Sequence, residues 1–376
     1  MLLIIRTIIV NWRSVNFLNL LFVISTLLFF CIFSGINCFF LLLDYIFYPG
    51  FCRVEVKKPV FIIGHPRSGT TFLHRLFLQT NEMASFKSWH LFFPSLTLRF
   101  FLRPLVHFLI RNNLHVLIPE ESGTYMTLDK DDEEELLFFQ NFDTQFLTLT
   151  AFGMLDDDYR NLRFHDLRPG HKRIRSARFL KCCFRRQIYY TGRRQIFAQM
   201  HFSTHRIRTL MEVFPDARFI YIDRTPYETI PSYFSLVYST LNKYKFFDKL
   251  SLSEFKRFFE YRYQASRDLY KYFHDLWNEG RVDKDRILII PYTLLREDLQ
   301  SVYKNILAFT GIESSERLER AAEIQAKKQG GYKRKHKVKK LEEFGIDENR
   351  IRDDFAFYFQ NVNQVDLNRD RTRVSV

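Results

Sequence analysis

The sequence predicts an α/β protein, a central and mostly parallel sheet flanked by helices, preceded by an N-terminal membrane helix or hairpin. Three observations carry that prediction. Short apolar runs rich in β-branched residues recur along the chain, each bounded by turn residues, as strands buried on both faces require. Amphipathic segments with helical spacing lie between them. Near the start stands an uncharged apolar stretch longer than the ~20 residues a helix needs to cross a bilayer.

That stretch comes first. Between Ser14 and Leu43 no charged residue occurs, and most positions are Leu, Phe, Ile or Val. No small-residue cleavage site ends it, which sets it apart from a secretory signal. Ser34, Gly35 and Asn37 interrupt the run, so the expectation covers both a full span and a hairpin or interfacial helix in one leaflet. Arg6 and Arg13 precede it, and Arg53, Lys57 and Lys58 follow, so the flanking charge sets no orientation. Residues 1–50 are therefore read as an anchor and residues 54–376 as one globular domain.

Within that domain, Pro59 to Gly64 reads as the first buried strand, Ala217 to Asp223 as another, and Arg286 to Tyr292 as a third. Ser253 to Trp277 carries Phe255, Phe259, Phe273 and Trp277 at helical spacing, with Gly280 beyond as a stop. Leu299 to Phe309 repeats that style. An acidic run (Asp129 to Glu135) and a basic run (Lys327 to Lys340) stand out by charge; the acidic one has the look of a solvated helix start.

The 376-residue chain carries a formal net charge of +14, which favours polyanions, anionic lipid headgroups or phosphorylated small molecules as partners. Cys31, Cys38, Cys52, Cys182 and Cys183 make an odd set without C-x₂-C pairs. That pattern supports neither a disulfide framework nor a zinc site, and no other metal-ligand spacing occurs.

The most informative stretch is Phe61-Ile-Ile-Gly-His-Pro-Arg-Ser-Gly-Thr-Thr-Phe-Leu73. A buried strand ends at Gly64, a short loop follows, and a helix starts near Gly69 or Thr70. Backbone N–H groups at such a start converge on one point, and the helix dipole adds partial positive charge there. Ser68, Thr70 and Thr71 add hydroxyl donors, Gly69 permits close backbone approach, and Arg67 adds a permanent multi-donor cation. The loop shares the logic of a Walker A loop without being one. Counted from Gly64, the Lys of G-x-x-x-x-G-K-[ST] would fall at position 70, where Thr70 stands.

Pro66-Arg-Ser-Gly-Thr-Thr-Phe-Leu73 resembles the 5′-phosphosulfate loop of the sulfotransferase superfamily, in its bacterial-type branch. The resemblance implies a P-loop-like three-layer domain and 3′-phosphoadenosine-5′-phosphosulfate (PAPS) as donor, with the 3′,5′-bisphosphate (PAP) as product and no metal. It assigns Arg67, Ser68, Gly69, Thr70, Thr71 and Phe72 to the donor. The family's second block, an Arg at a strand end and a Ser eight residues on, is matched by Phe214-Pro-Asp-Ala-Arg-Phe-Ile-Tyr-Ile-Asp-Arg224 and Ser232. By this likeness Arg224 and Ser232 take the 3′-phosphate. A weaker likeness in Gly331 to Lys337 adds Lys333 and Lys335 from a basic loop that closes over the nucleotide.

For catalysis the resemblance points to Arg67, to His201 in Gln199-Met-His-Phe-Ser203, and to a carboxylate of the acidic block, with Glu134 as its representative. Two departures stand out: Gln199 occupies a position where the family often has Lys, and Tyr125 one where it often has His. The implied acceptor is a hydroxyl (or amine) of a small molecule, glycan or lipid, with no nucleic acid involved. The implied location is a membrane-anchored enzyme whose domain faces the cytoplasm, or the Golgi lumen in a eukaryote. Two other readings stay open on the residues alone, a nucleotide-dependent kinase with a similar loop and a non-catalytic binder of anionic lipid or nucleic acid.

Overall fold

The computed structural model describes residues 2–11, 17–80, 82–119, 125–155, 157–329 and 338–360. Two helices open the chain, α1 (Leu2–Asn11) and α2 (Phe17–Phe47). Then come strand β1 (Val60–Ile63), α3 (Thr70–Leu78), α4 (Ser88–Phe92) and α5 (Leu96–Arg111). A small antiparallel pair, β2 (Val116–Ile118) and β3 (Met126–Thr127), leads towards α6 (Gly170–Thr191), β4 (Phe197–Gln199) and α7 (Ile207–Val213). The second half runs through β5 (Arg218–Asp223), α8 (Pro226–Asn242), α9 (Leu252–Asn278) and β6 (Ile287–Pro291). It continues with α10 (Tyr292–Glu297), α11 (Leu299–Thr310), α12 (Glu316–Gln329) and α13 (Arg350–Asp354).

The main sheet has the order β4-β1-β5-β6, and every pairing in it is parallel. Its strands are apolar on both faces because helices cover both. Val60 and Ile62 point into a core with Phe77 of α3, Leu295 of α10 and Tyr303 of α11. Phe61 and Ile63 point the other way, to Phe184 of α6, Leu210 of α7 and Phe273 of α9. That is the three-layer arrangement expected from the strand–helix alternation. The three strands read from sequence are β1, β5 and β6. Strand β4 escaped notice because three residues, Phe-Ala-Gln, give periodicity nothing to act on.

Helix α2 is one continuous helix. Gly35 has open space around it, and the Asn37 side-chain amide donates to the Phe33 carbonyl one turn back (3.1 Å), so the polar residues that suggested a hairpin do not break it. Mean hydropathy over its most apolar window is 2.4, and it is long and apolar enough to cross a membrane. Its C-terminal end is fixed to the domain by Asp44, which is fully buried. One Asp44 oxygen accepts from Ser95 Oγ, Thr97 N and Thr97 Oγ1, each at 2.8 Å. The other accepts from Leu96 N (3.1 Å) and Arg186 Nε (2.7 Å). Asp44 thus caps α5 from outside and neutralises a buried guanidinium of α6. Removing one partner of such a pair strands the other charge, at a cost of about 3–5 kcal/mol. Asp44→Ala is therefore expected to lower the thermal unfolding temperature by roughly 5–15 °C in detergent. A variant that melts with the parent would contradict this account of the clamp.

Candidate functional site

The candidate site is assembled at the carboxyl ends of the four parallel strands, where open α/β sheets place their ligands. Strand β1 runs into the loop 64–69, β5 ends just before Arg224, β4 leads to His201, and β6 hands over to Tyr292.

The loop turns on residues with left-handed backbone. Gly64 has φ +130°, and a Cβ there would lie 2.8 Å from the Ile222 carbonyl oxygen of β5, so only glycine fits. Gly69 (φ +102°) begins α3. Arg67 also sits at φ +73°, which costs a non-glycine residue about 1–2 kcal/mol. Beneath the loop His65 is fully enclosed. Its Nδ1 lies 2.6 Å from the Pro66 carbonyl and its Nε2 2.9 Å from Ser266 Oγ. Burial pushes its pKa down to about 3, so it supports the loop as a neutral ring. Ser68 Oγ is buried without a hydrogen-bond partner, a donor held ready beside the helix start.

The second group stands 157 residues away in sequence and directly beside the loop in space. Arg224 Nη1 donates to the Arg67 carbonyl (2.7 Å), Nη2 donates to Glu228 (3.0 Å), and the guanidinium lies 3.8 Å over the Tyr292 ring. The Arg67 side chain reaches the same place, its Nε donating to Ser232 Oγ (3.1 Å). Tyr270 Oη donates to the Arg224 carbonyl (2.6 Å) and holds the corner. The buried Arg224 Nε has no hydrogen-bond partner. Two orphaned donors, Ser68 Oγ and Arg224 Nε, flank one loop, which is what a ligand with two anionic ends would satisfy.

The third group lies at the end of β4. The Gln199 side-chain amide donates to Thr71 Oγ1 (2.9 Å) and Thr70 Oγ1 (3.3 Å), so it orients both loop hydroxyls from the position where a Lys had been the pattern. The same amide nitrogen is 3.5 Å from His201 Nδ1. His201 Nε2 lies 2.9 Å from a Glu133 carboxylate oxygen, so Glu133 faces one ring nitrogen while the other, Nδ1, faces the Gln199 amide on the loop side. Burial by itself would depress the His201 pKa, but Glu133, with Glu135 and Asp132 behind it, more than compensates and the net direction is upward.

The acidic run is not the solvated helix start that its composition suggested. Glu134 and Glu135 are fully buried at the start of the 3₁₀ segment Glu134–Asn141. Glu134 accepts the backbone N–H of Gln199 (2.8 Å) and sits 3.4 Å from His74 Nε2, so it pins β4. Glu135 accepts from Ser203 Oγ (2.6 Å). Burial raises its pKa against the opposing pull of Arg206. Glu133, at the edge of the run, is the carboxylate that meets His201. The chain pays for this buried acid cluster with donors from neighbouring segments, a relation that no local pattern reveals.

The sequence-predicted residues Arg67, Ser68, Gly69, Thr70, Thr71, Arg224, Ser232 and His201 thus come together, while Phe72 sits half-buried one step into α3. Lys333 and Lys335 lie outside the described residues. Among the described residues no cluster of His, Cys, Asp and Glu has the makings of a metal site. Sequence reasoning missed Tyr292 and Tyr270. The signal for Tyr292 was present, because it ends a predicted strand and so stands at the same sheet edge as Arg224.

A glycine-cornered strand–loop–helix unit beside an arginine pair defines an α/β protein of the kind that binds phosphate- or sulfate-bearing ligands. Comparison with known proteins narrows this: the chain belongs to the sulfotransferase family, whose profile matches residues 59–316. It is similar to proteins of Mycobacterium bovis and Mycobacterium tuberculosis named omega-hydroxy-beta-dihydromenaquinone-9 sulfotransferase, each 28% identical over 182 residues. That match takes in 48% of this chain and 45% of the relative, so the chain spans about half the length of the curated relatives it matches. The fold is shared with a Mycobacterium avium sulfotransferase (TM-score 0.65, 18% identity, 85% of this chain and 81% of that one). A Mycobacterium tuberculosis sulfotransferase gives a TM-score of 0.61 at 16% identity, over 90% and 86% of the two chains.

Proposed function

We propose that this chain transfers a sulfuryl group from PAPS to a hydroxyl of a lipophilic acceptor. The observation that carries the reading is the meeting of the glycine loop with the Arg67–Ser232–Arg224 group across 157 residues of sequence. In this reading the loop amides, Ser68, Thr70 and Thr71 hold the 5′-phosphosulfate. Arg224 and Ser232 hold the 3′-phosphate, and Arg67, with its backbone in the loop and its side chain on Ser232, serves both ends. His201 Nδ1 takes the proton of the acceptor hydroxyl as the oxygen–sulfur bond forms. The bond from sulfur to the 5′-phosphate oxygen breaks, and the loop donors stabilise the charge that builds on the departing PAP. Glu133 orients His201, and Glu134 holds the strand that carries it.

The lipophilic acceptor is supported by what lies on the other side of His201. The Phe146 ring meets His201 at 5.7 Å, Phe139 lies 6.3 Å from Phe146, and Phe30 of α2 stacks on Phe139 at 5.5 Å. An aromatic line therefore leads from the apolar helix to the proposed base, and a menaquinone-derived acceptor is what the named relatives act on. A cytoplasmic location for the domain goes with this reading, because PAPS is made there.

A thermal-shift comparison tests the class. PAP without metal is expected to stabilise the protein by several degrees at saturating concentration, and ATP with magnesium to do little. Stabilisation by ATP–magnesium and not by PAP would favour a kinase.

A further inference from the structure

Helix α2 is amphipathic in the reverse of the usual sense. The face it turns to the domain carries Asn19, Asn37 and Asp44, all buried. The face it turns away is made of Leu21, Leu28, Phe29, Ile32, Phe39 and Leu42, all exposed. The packed stripe runs the whole length of the helix. Asn19 donates to the Lys249 carbonyl (3.0 Å) at one end, Phe30 and Phe33 meet Phe139 and Phe93 in the middle, and Asp44 binds Arg186 at the other.

A helix that crosses a bilayer delivers its flanks to opposite sides. Here both flanks return to the same body. Ahead of α2, Thr7 Oγ1 of α1 donates to Asp157 (2.7 Å), and Ile4 is buried in the same cluster as Phe152 and Phe234. Behind α2 the chain passes directly into β1, at the centre of the sheet. Helix α5 lies alongside, with Phe40 and Phe101 in ring contact (6.2 Å), and it exposes Phe100, Phe101, Leu105 and Phe108 together with Arg103 and Arg111. At the ends of α2 stand further cations: Lys249, whose ammonium lies 4.4 Å over the Phe22 ring, and the exposed Arg53.

We infer that α2 and α5 together form a membrane-embedded face that lies in the plane of one leaflet, with α2 parallel to the surface and the domain seated on the headgroups. The occupant is a lipid monolayer containing anionic headgroups. Apolar side chains fill the acyl boundary, and the arginines and Lys249 reach headgroup phosphates. The inference does not depend on the reaction catalysed.

Depth measurement tests it. A fluorophore is placed at Leu21→Cys, at the native Cys38, or at Ile46→Cys on α2, or at Phe108→Cys on α5, each in a chain otherwise without cysteine. The proteins are reconstituted in phosphatidylcholine–phosphatidylglycerol vesicles and quenched by brominated lipids. The lying helix puts all four probes at similar depth, within about 10 Å of the headgroup boundary. Leu21 and Ile46 are 25 residues apart, about 37 Å of helix, so a span would put Cys38 deep, the two ends near opposite surfaces, and leave Phe108 unquenched. That pattern would overturn the inference. So would probes that escape lipid quenching and instead transfer energy between differently labelled copies, which would make the face a dimer contact. The chain with its cysteines unaltered supplies a second test: tags ahead of residue 1 and after residue 376 are expected on the same side of sealed vesicles by protease protection. Tags on opposite sides would refute the lying helix.

Discussion

Arg224→Ala is expected to weaken PAP binding by about 100-fold, the loss of charge-assisted hydrogen bonds to one phosphate, each worth roughly 1.5–3 kcal/mol. The expectation rests on the arrangement around the guanidinium. Its Nη1 is spent on the Arg67 carbonyl and its flat face on Tyr292, while the buried Nε is unsatisfied and directed by those contacts. Arg67→Gly is the sharper companion. Glycine relieves the left-handed backbone at φ +73°, so the loop keeps its course while the guanidinium is lost. Its PAP affinity is expected to fall by a similar factor. Glycine keeps the carbonyl that Arg224 Nη1 donates to, so the bond between the two sites survives in Arg67→Gly and the double variant should lose about the product of the single effects. Isothermal titration with PAP measures all three. Undiminished affinity in both single variants would remove these residues from the nucleotide site.

The parts of this site legible in sequence are those in which one short segment does the chemistry. The loop from Gly64 to Thr71 could be read because strand end, glycine and hydroxyls are consecutive, whereas Arg224 with Ser232 could be read only through the resemblance of their segment to the family's second block. The strands β1, β5 and β6 declared themselves as apolar runs, since burial on both faces leaves no alternative composition. What could not be read depends on contacts between distant segments. Glu134 resembles a surface acid until β4 supplies its partner, the backbone N–H of Gln199. Gln199 looked like the loss of a Lys, and in the fold it orients Thr70 and Thr71. Asp44 ended an apolar run and gave no sign that Arg186, 142 residues on, would neutralise it. In each case the polar group is satisfied by the fold, so its role is decided by tertiary structure and not by its neighbours in sequence.

His201→Ala is expected to lower turnover by about 10²–10⁴-fold, the usual contribution of a positioned base, while PAP affinity stays close to that of the parent. The split matters, since a residue that only shaped the nucleotide site would move both. The pH profile then separates base from scaffold. Burial depresses the His201 pKa, but Glu133, with Glu135 and Asp132 behind it, more than offsets this and raises it above its ordinary value near 6.5, so the neutral, proton-accepting ring becomes dominant only above that raised value. Turnover should therefore rise with pH along a limb whose midpoint lies above 6.5. Glu133→Gln removes the nearest charge and leaves burial as the leading influence, so the pKa falls and the limb moves to lower pH. The same change loosens the ring, because the Glu133 contact at 2.9 Å is what holds its Nε2 side. The variant should be slower at its plateau and less inhibited by acid than the parent. A limb that stays in place in Glu133→Gln, or near-normal turnover in His201→Ala, would shift the base to another member of the acidic block. Glu134→Gln would then be the variant to measure, and a loss of turnover at unchanged thermal stability would identify it.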